Sequence, residues 1–135
     1  EMVTKLKQMG YLAIVVTNQP TVADGTLSKR DLDLMHQKLR EELPLDDIAV
    51  CMHTEGENCR CRKPKPGLLL DAANAHDIDL SRSFMIGDWW RDIDAGKGAG
   101  CKTVLMSMPS NDHILNYDYL ARDLDHVVKI VSAHV

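Results

Sequence analysis

No apolar run in these 135 residues approaches the roughly 20 needed for a membrane-spanning helix. The opening stretch, Glu1 to Gly10, is polar and amphipathic and lacks the charged start and apolar block of a signal peptide. Positive charge is not in excess: a net charge of −4 leaves no basic footprint for nucleic acid. Internal repeats, low-complexity tracts and domain boundaries are also missing, and the length suits one modest domain, residues 1–135, with one core. A composition 44% hydrophobic and 27% charged fits such a globular chain. A cytoplasmic protein with neither a membrane nor a nucleic-acid partner is expected.

What is present alternates. Val3, Leu6 and Met9 recur at helical spacing before Gly10. The apolar run Tyr11 to Val16 reads as a parallel strand buried on both faces, ending in a polar turn, Thr17-Asn18-Gln19-Pro20. Ser28 caps a helix whose inward positions are Leu32, Met35, Leu39 and Leu43, and Pro44 stops it. Ile48-Ala49-Val50 is a short strand, and Pro66-Gly67 opens a helix through Leu68, Leu69 and Ala72. Strands follow at Ser83–Ile86 and Thr103–Met106, with a helix between them that ends near Gly100. Tyr119-Leu120-Ala121 is a last short strand, and Asp123 caps a helix with Leu124, Val127, Val128 and Val131 inward. The alternation predicts an α/β fold with a parallel sheet covered on both faces. In such sheets ligands sit beyond the carboxyl ends of the strands. Thr17-Asn18, Cys51/His53 and Asp88 all stand at strand ends, so the topology gathers them at one rim.

Cys51-Met52-His53 and Cys59-Arg60-Cys61 form C-x-H-x5-C-x-C. Three thiolates and an imidazole make a tetrahedral zinc set, and four protein ligands leave no open position, which points to a structural ion. Gly56 and Asn58 give the loop freedom to wrap it. The alternatives are four unrelated residues or a disulfide, the latter disfavoured in a reducing compartment. Cys101 reads as a small core residue.

Thr17 can donate a hydroxyl proton to a phosphate oxygen, Asn18 can add an amide donor, and Gln19 stands beside them; the alternative is an ordinary polar turn. Lys63 offers a compact charge for phosphoryl oxygens, and Arg62 a bidentate contact for a second phosphate. A solvated basic patch with Arg60 and Lys65 is the other reading. Asp88 ends an apolar strand, where a hard carboxylate suits Mg²⁺. Asp92 lies four positions on, where with Asp94 it could equally be helix N-terminal charge.

In order, Val15-Val16-Thr17-Asn18-Gln19, Arg62-Lys63-Pro64-Lys65-Pro66-Gly67 and Gly87-Asp88-Trp89-Trp90-Arg91-Asp92 resemble the haloacid dehalogenase (HAD) superfamily. The similarity covers nearly the whole chain. It is greatest to the branch containing heptose 1,7-bisphosphate and histidinol-phosphate phosphatases, where the zinc pattern runs directly into Arg-Lys-Pro. The resemblance implies a three-layer, Rossmann-like HAD fold without a separate cap domain. It also implies Mg²⁺-dependent hydrolysis of a small phosphorylated sugar. Thr17, Asn18 and Lys63 would surround the phosphoryl group, with Arg62, Lys63 and Gln19 on the substrate. Asp88 would bind Mg²⁺, Asp92 would support it, and Cys51, His53, Cys59 and Cys61 would hold structural zinc. Trp89 and Asp24 stand where relatives often carry cations; at Trp89 the exchange loses a cation or gains an aromatic wall.

The superfamily's nucleophile motif, Asp-x-Asp-Gly-Thr/Val after the first strand, does not occur in the sequence. Asp24-Gly25-Thr26 follows a loop rather than an apolar strand and is rejected. By the family's topology the strand carrying the motif lies centrally, between the strands ending at Thr17 and Asp88. Three outcomes are expected: the strand lies upstream of Glu1, a partner chain supplies it through self-association, or its two neighbours close up and pair. If it were truly lacking, the chain would be a catalytically dead remnant that binds phosphate or a protein.

Overall fold

The computed structural model describes residues 1–18, 25, 28–51 and 59–134. Gln19, Asp24, His53, Gly56 and Asn58 lie outside the described residues. The described elements run α1 (Met2–Gln8), β1 (Ile14–Asn18), α2 (Lys29–Glu42), β2 (Asp47–Cys51), α3 (Gly67–His76), β3 (Phe84–Gly87), α4 (Trp90–Ala99), β4 (Lys102–Met106), β5 (Tyr119–Ala121) and α5 (Leu124–Ser132). Single 3-10 turns cover Leu80–Arg82 and Pro109–Asn111.

Local chemistry sets most boundaries. Ser28 accepts from the Asp31 amide and Asp123 from the His126 amide, each occupying a helix donor that would otherwise lack a partner. Gly100 closes α4 at φ 88°, a left-handed conformation that favours glycine. β1 starts three residues later than the apolar run predicts. Asp46 is the reason: its carboxylate accepts from the Ala13 amide at 2.6 Å and its own amide donates to Ala13 O, so a side-chain bridge precedes the ladder. The regular pairing begins at Ile14 opposite Asp47. Helix α2 buries Leu32 but leaves Met35 54% exposed, and α5 buries Val127 and Val131 but leaves Leu124 55% exposed. Both inward stripes are narrower than the spacing predicts.

Every described strand pair is parallel. β1 pairs with β2, and β3-β4-β5 form a second ladder. Val104, Ala121, Val127 and Val131 form one buried cluster, against which Met2, Leu6 and Met9 of α1 pack. Leu69, Met85 and Ala95 form a second on the α3/α4 side, with Val16 and Cys101 against it. Helices therefore cover the strands on two sides, as expected of an α/β protein.

β1 and β3 do not pair with each other, so closure of the two neighbours is the outcome that does not occur. Between them lies a cavity of about 830 Å³ lined by Ile14, Val15 and Val16 on one side and Phe84, Met85 and Ile86 on the other. Lys63 and Asp92 also line it.

Asp46 carries a testable share of stability. Lys7 Nζ bonds both its oxygens, at 2.7 and 2.6 Å, and the group is 23% exposed. The Lys7 bond, then the Ala13 amide, hold its pKa below the usual carboxylate value. A depressed folded pKa stabilises above the unfolded value and ceases to as pH falls through the folded one. Asp46→Asn is thus expected to cost about 1–3 kcal/mol at pH 7. The difference from wild type should shrink below about pH 4, as read by urea unfolding at both pH values.

Candidate functional site

Lys63 joins the end of β1 to the first turn of α4, the helix that follows β3. Its backbone amide donates to Asn18 Oδ1 at 3.1 Å, and Asn18 Nδ2 donates back to Lys63 O at 3.4 Å. This reciprocal pair fixes Lys63 to the end of β1 as a ladder partner would. The Lys63 ammonium then reaches into the cavity, donating to Val16 O at 3.2 Å and to Asp92 Oδ1 at 2.6 Å. Both charged side chains are largely withdrawn from water, at 13% and 11% exposure. A close, hydrogen-bonded partner is what makes such burial tolerable.

Asp92 sits in the first turn of α4, where helix N-terminal amides favour an anion. It packs against Gly87 so closely that a Cβ at that position would run into its carboxylate. Glycine at the end of β3 is therefore required by contact. Asp88 follows immediately, and its side chain is exposed. Among the described residues its carboxylate makes no hydrogen bond or ion pair to Thr17 or Lys63. Thr17 is half-buried at the end of β1, with its hydroxyl 3.5 Å from Asn18 O. The structure thus brings Lys63 into direct contact with both Asn18 and Asp92, with Thr17 beside Asn18 on β1 and Asp88 directly after β3.

Trp89 and Trp90 meet edge to face at 6.1 Å. The Arg91 guanidinium lies 4.6 Å from the first ring and 5.3 Å from the second. The two tryptophans are 48% and 38% exposed, so both lie at the surface. The Arg91 guanidinium thus stacks on both aromatic rings. Arg62 is half-buried, directly before Lys63.

The cysteines converge as their spacing predicts. Cys51 closes β2 fully buried, and its Sγ lies 3.4 Å from Cys59 Sγ, which is 3.6 Å from Cys61 Sγ. All three sulfurs lie within 4.8 Å of one another and none is in a disulfide. Thiolates on one tetrahedral zinc, with Zn–S near 2.3 Å, stand about 3.8 Å apart, so the set fits such an ion. Burial pushes the Cys59 thiol up, but the Cys51 thiol and the Arg62 amide outweigh it and bring it down to about 6. Cys61 is pushed up to about 12, by burial first and then by its two sulfur neighbours. Cys101 stands apart, half-buried beside the cavity.

Two of the connections that sequence reasoning missed lie beside Asp88 and Lys63. Asp92 is the ion-pair partner of Lys63, 29 residues away. Asn111, buried in the turn after β4, donates to the backbone carbonyl of Asp88. Nothing in the local pattern of either residue signals its partner.

A family model described as HAD-hydrolase-like matches residues 60–129. A D-glycero-beta-D-manno-heptose-1,7-bisphosphate 7-phosphatase from Helicobacter pylori is 41% identical over 112 residues, covering 78% of this chain and 65% of that protein. The enzyme of the same name from Pasteurella multocida is 42% identical over 117 residues, covering 78% and 64%. The chain therefore matches slightly under two thirds of the length of these curated relatives. Among solved structures, the D,D-heptose 1,7-bisphosphate phosphatase of B. bronchiseptica, complexed with magnesium and phosphate, superposes with a TM-score of 0.88. That alignment has 27% identity and covers 99% of this chain and 81% of the other. No helix among the described residues is long and apolar enough to cross a membrane.

Proposed function

Because the chain belongs to the HAD-hydrolase-like family, we propose that it is a Mg²⁺-dependent phosphomonoesterase domain acting on a small phosphorylated sugar, such as a heptose 1,7-bisphosphate. The observation that carries this reading is the Lys63 ammonium, held at the cavity end by Asp92 and Val16 O beside the strand ends that bear Thr17 and Asp88. A phosphoryl group seated there would meet a fixed cation and a hydroxyl donor without those groups having to reorganise. Lys63 would neutralise charge that develops on the phosphoryl oxygens, and Thr17 would orient one of them. Asn18 would act through Lys63 by fixing its backbone, while its second amide hydrogen remains for the phosphate. Arg62 and Gln19 would contact the rest of the substrate. Asp92 would hold Lys63 in place and, with Gly87, set the direction in which Asp88 leaves β3.

Asp88 suits magnesium because its exposed oxygens are hard donors at a strand end, and Mg²⁺ typically takes one or two carboxylates beside water and substrate phosphate. When bound, the ion would supply Lewis-acid polarisation of a phosphoryl oxygen. Zinc would be structural, on Cys51, Cys59, Cys61 and His53. The attacking carboxylate would come from an extended segment seated between β1 and β3, whose facing edges have no described strand partner. Residues 1–135 would then form one domain with that segment, in a cytoplasmic enzyme.

The decisive experiment offers full-length protein a panel of phosphorylated sugars and measures inorganic phosphate with Mg²⁺ and with EDTA. Release that depends on Mg²⁺, and falls at least about a hundredfold in Asp88→Asn, is expected. Phosphate binding without turnover on any member would instead favour a non-catalytic binding module.

A further inference from the structure

Resting on the magnesium reading above, we propose that Asn111 is a positioning residue for the cation site, acting through the backbone of Asp88. Asn111 is 4% exposed and its amide is fully used. Nδ2 donates one hydrogen to Asp88 O at 2.8 Å and the other to Met106 O at 2.8 Å. Oδ1 accepts from the Met108 amide at 2.9 Å. A neutral primary amide has two donors that can serve two carbonyls while its oxygen takes an amide proton, and no other side chain of this size offers that set.

The arrangement is specific in what it joins. Met106 is the last residue of β4, while Asp88 directly follows the last residue of β3. One buried side chain therefore sets the spacing between two neighbouring strand ends at the level of the site. Asp88 is otherwise exposed, and its predecessor Gly87 is held by pairing with Leu105 of β4 and by close contact with Asp92. Asn111 adds a bond to the Asp88 carbonyl itself. With these in place the Asp88 backbone is held, and its carboxylate is presented to the site from a fixed Cα. Loss of Asn111 removes the bond to the Asp88 carbonyl and loosens the residue between Gly87 in the ladder and Trp89 at the start of α4. The cation would then bind a carboxylate that must first be ordered.

The test uses full-length protein with Asn111→Ala and Asn111→Ser; serine retains one donor and protects the test if alanine compromises folding. Mn²⁺ binding is followed by electron paramagnetic resonance in the presence of inorganic phosphate, well below each protein's unfolding temperature. The Mg²⁺ concentration for half-maximal phosphate release is measured in parallel. Half-saturation is expected to rise about 10- to 100-fold in the alanine variant and less in the serine variant. The substrate KM at saturating Mg²⁺ should stay within about twofold, since the contact sets cation affinity rather than substrate binding. A merely structural role would lower the unfolding temperature and leave cation half-saturation in place; that result in both variants overturns the inference. Wild-type protein that binds no Mn²⁺ would overturn the magnesium reading itself, and this inference with it.

Discussion

Lys63→Met is expected to lower phosphate release by about a thousandfold, because it removes the ammonium that Asp92 and Val16 O hold in the cavity at the end of β1. Methionine keeps the length and apolar stem, so the change is chiefly electrostatic. It should also destabilise the protein. Asp92 is 11% exposed on its side chain and would be left without the cation that compensates its burial. Breaking a buried pair from one side costs about 3–5 kcal/mol. The double variant Lys63→Met/Asp92→Asn separates the two effects. Neutralising Asp92 should restore most of the lost stability, measured by chemical unfolding, and none of the activity. Activity above a tenth of wild type in the single variant would show that Lys63 is structural and that the phosphate is held elsewhere.

Cys59→Ser is expected to cost the protein both its zinc and a large part of its stability. Metal analysis should find about one zinc per wild-type chain and a small fraction of that in the variant. The unfolding temperature should fall by about 10 °C, which corresponds to roughly 3 kcal/mol for a chain of this size. The reason for so large an effect is where the cluster sits. Cys51 closes β2, and Cys59 and Cys61 lead directly into Arg62 and Lys63. Drawing the three sulfurs together clamps the segment that presents Lys63 to the end of β1, so activity should fall along with stability. Cys101→Ser, outside the cluster, is the control and should keep its zinc. A zinc-free wild type with the same unfolding temperature as Cys59→Ser would remove the metal from the account.

How much of this was legible beforehand follows from the range of each interaction. The cap at Ser28, the cap at Asp123 and the left-handed Gly100 are contacts within one turn, and sequence places all three. The cysteine cluster spans eleven positions, short enough for spacing to carry its chemistry. Side-chain exposure along α2 and α5 was less legible. Periodicity says which positions share a face, whereas the neighbour packed against that face decides how wide the buried stripe is. The start of β1 was misplaced for a related reason: Asp46, 33 residues from Ala13, takes the amide that an apolar run would assign to a ladder.

By itself the sequence determined that strands alternate with helices, that three sulfurs come together, and that Thr17-Asn18, Cys51 and Asp88 stand at strand ends. Those outcomes depend on side-chain period, local capping and short loops, which act between near neighbours. Only the tertiary structure decided that Asn18 grips the Lys63 backbone, that Lys63 pairs with Asp92, and that Asn111 holds Asp88. These partners lie 23 to 45 residues apart. A buried charge or amide has no preferred partner until packing excludes water around it, so its pairing is fixed by the folded core and not by its neighbours in the chain.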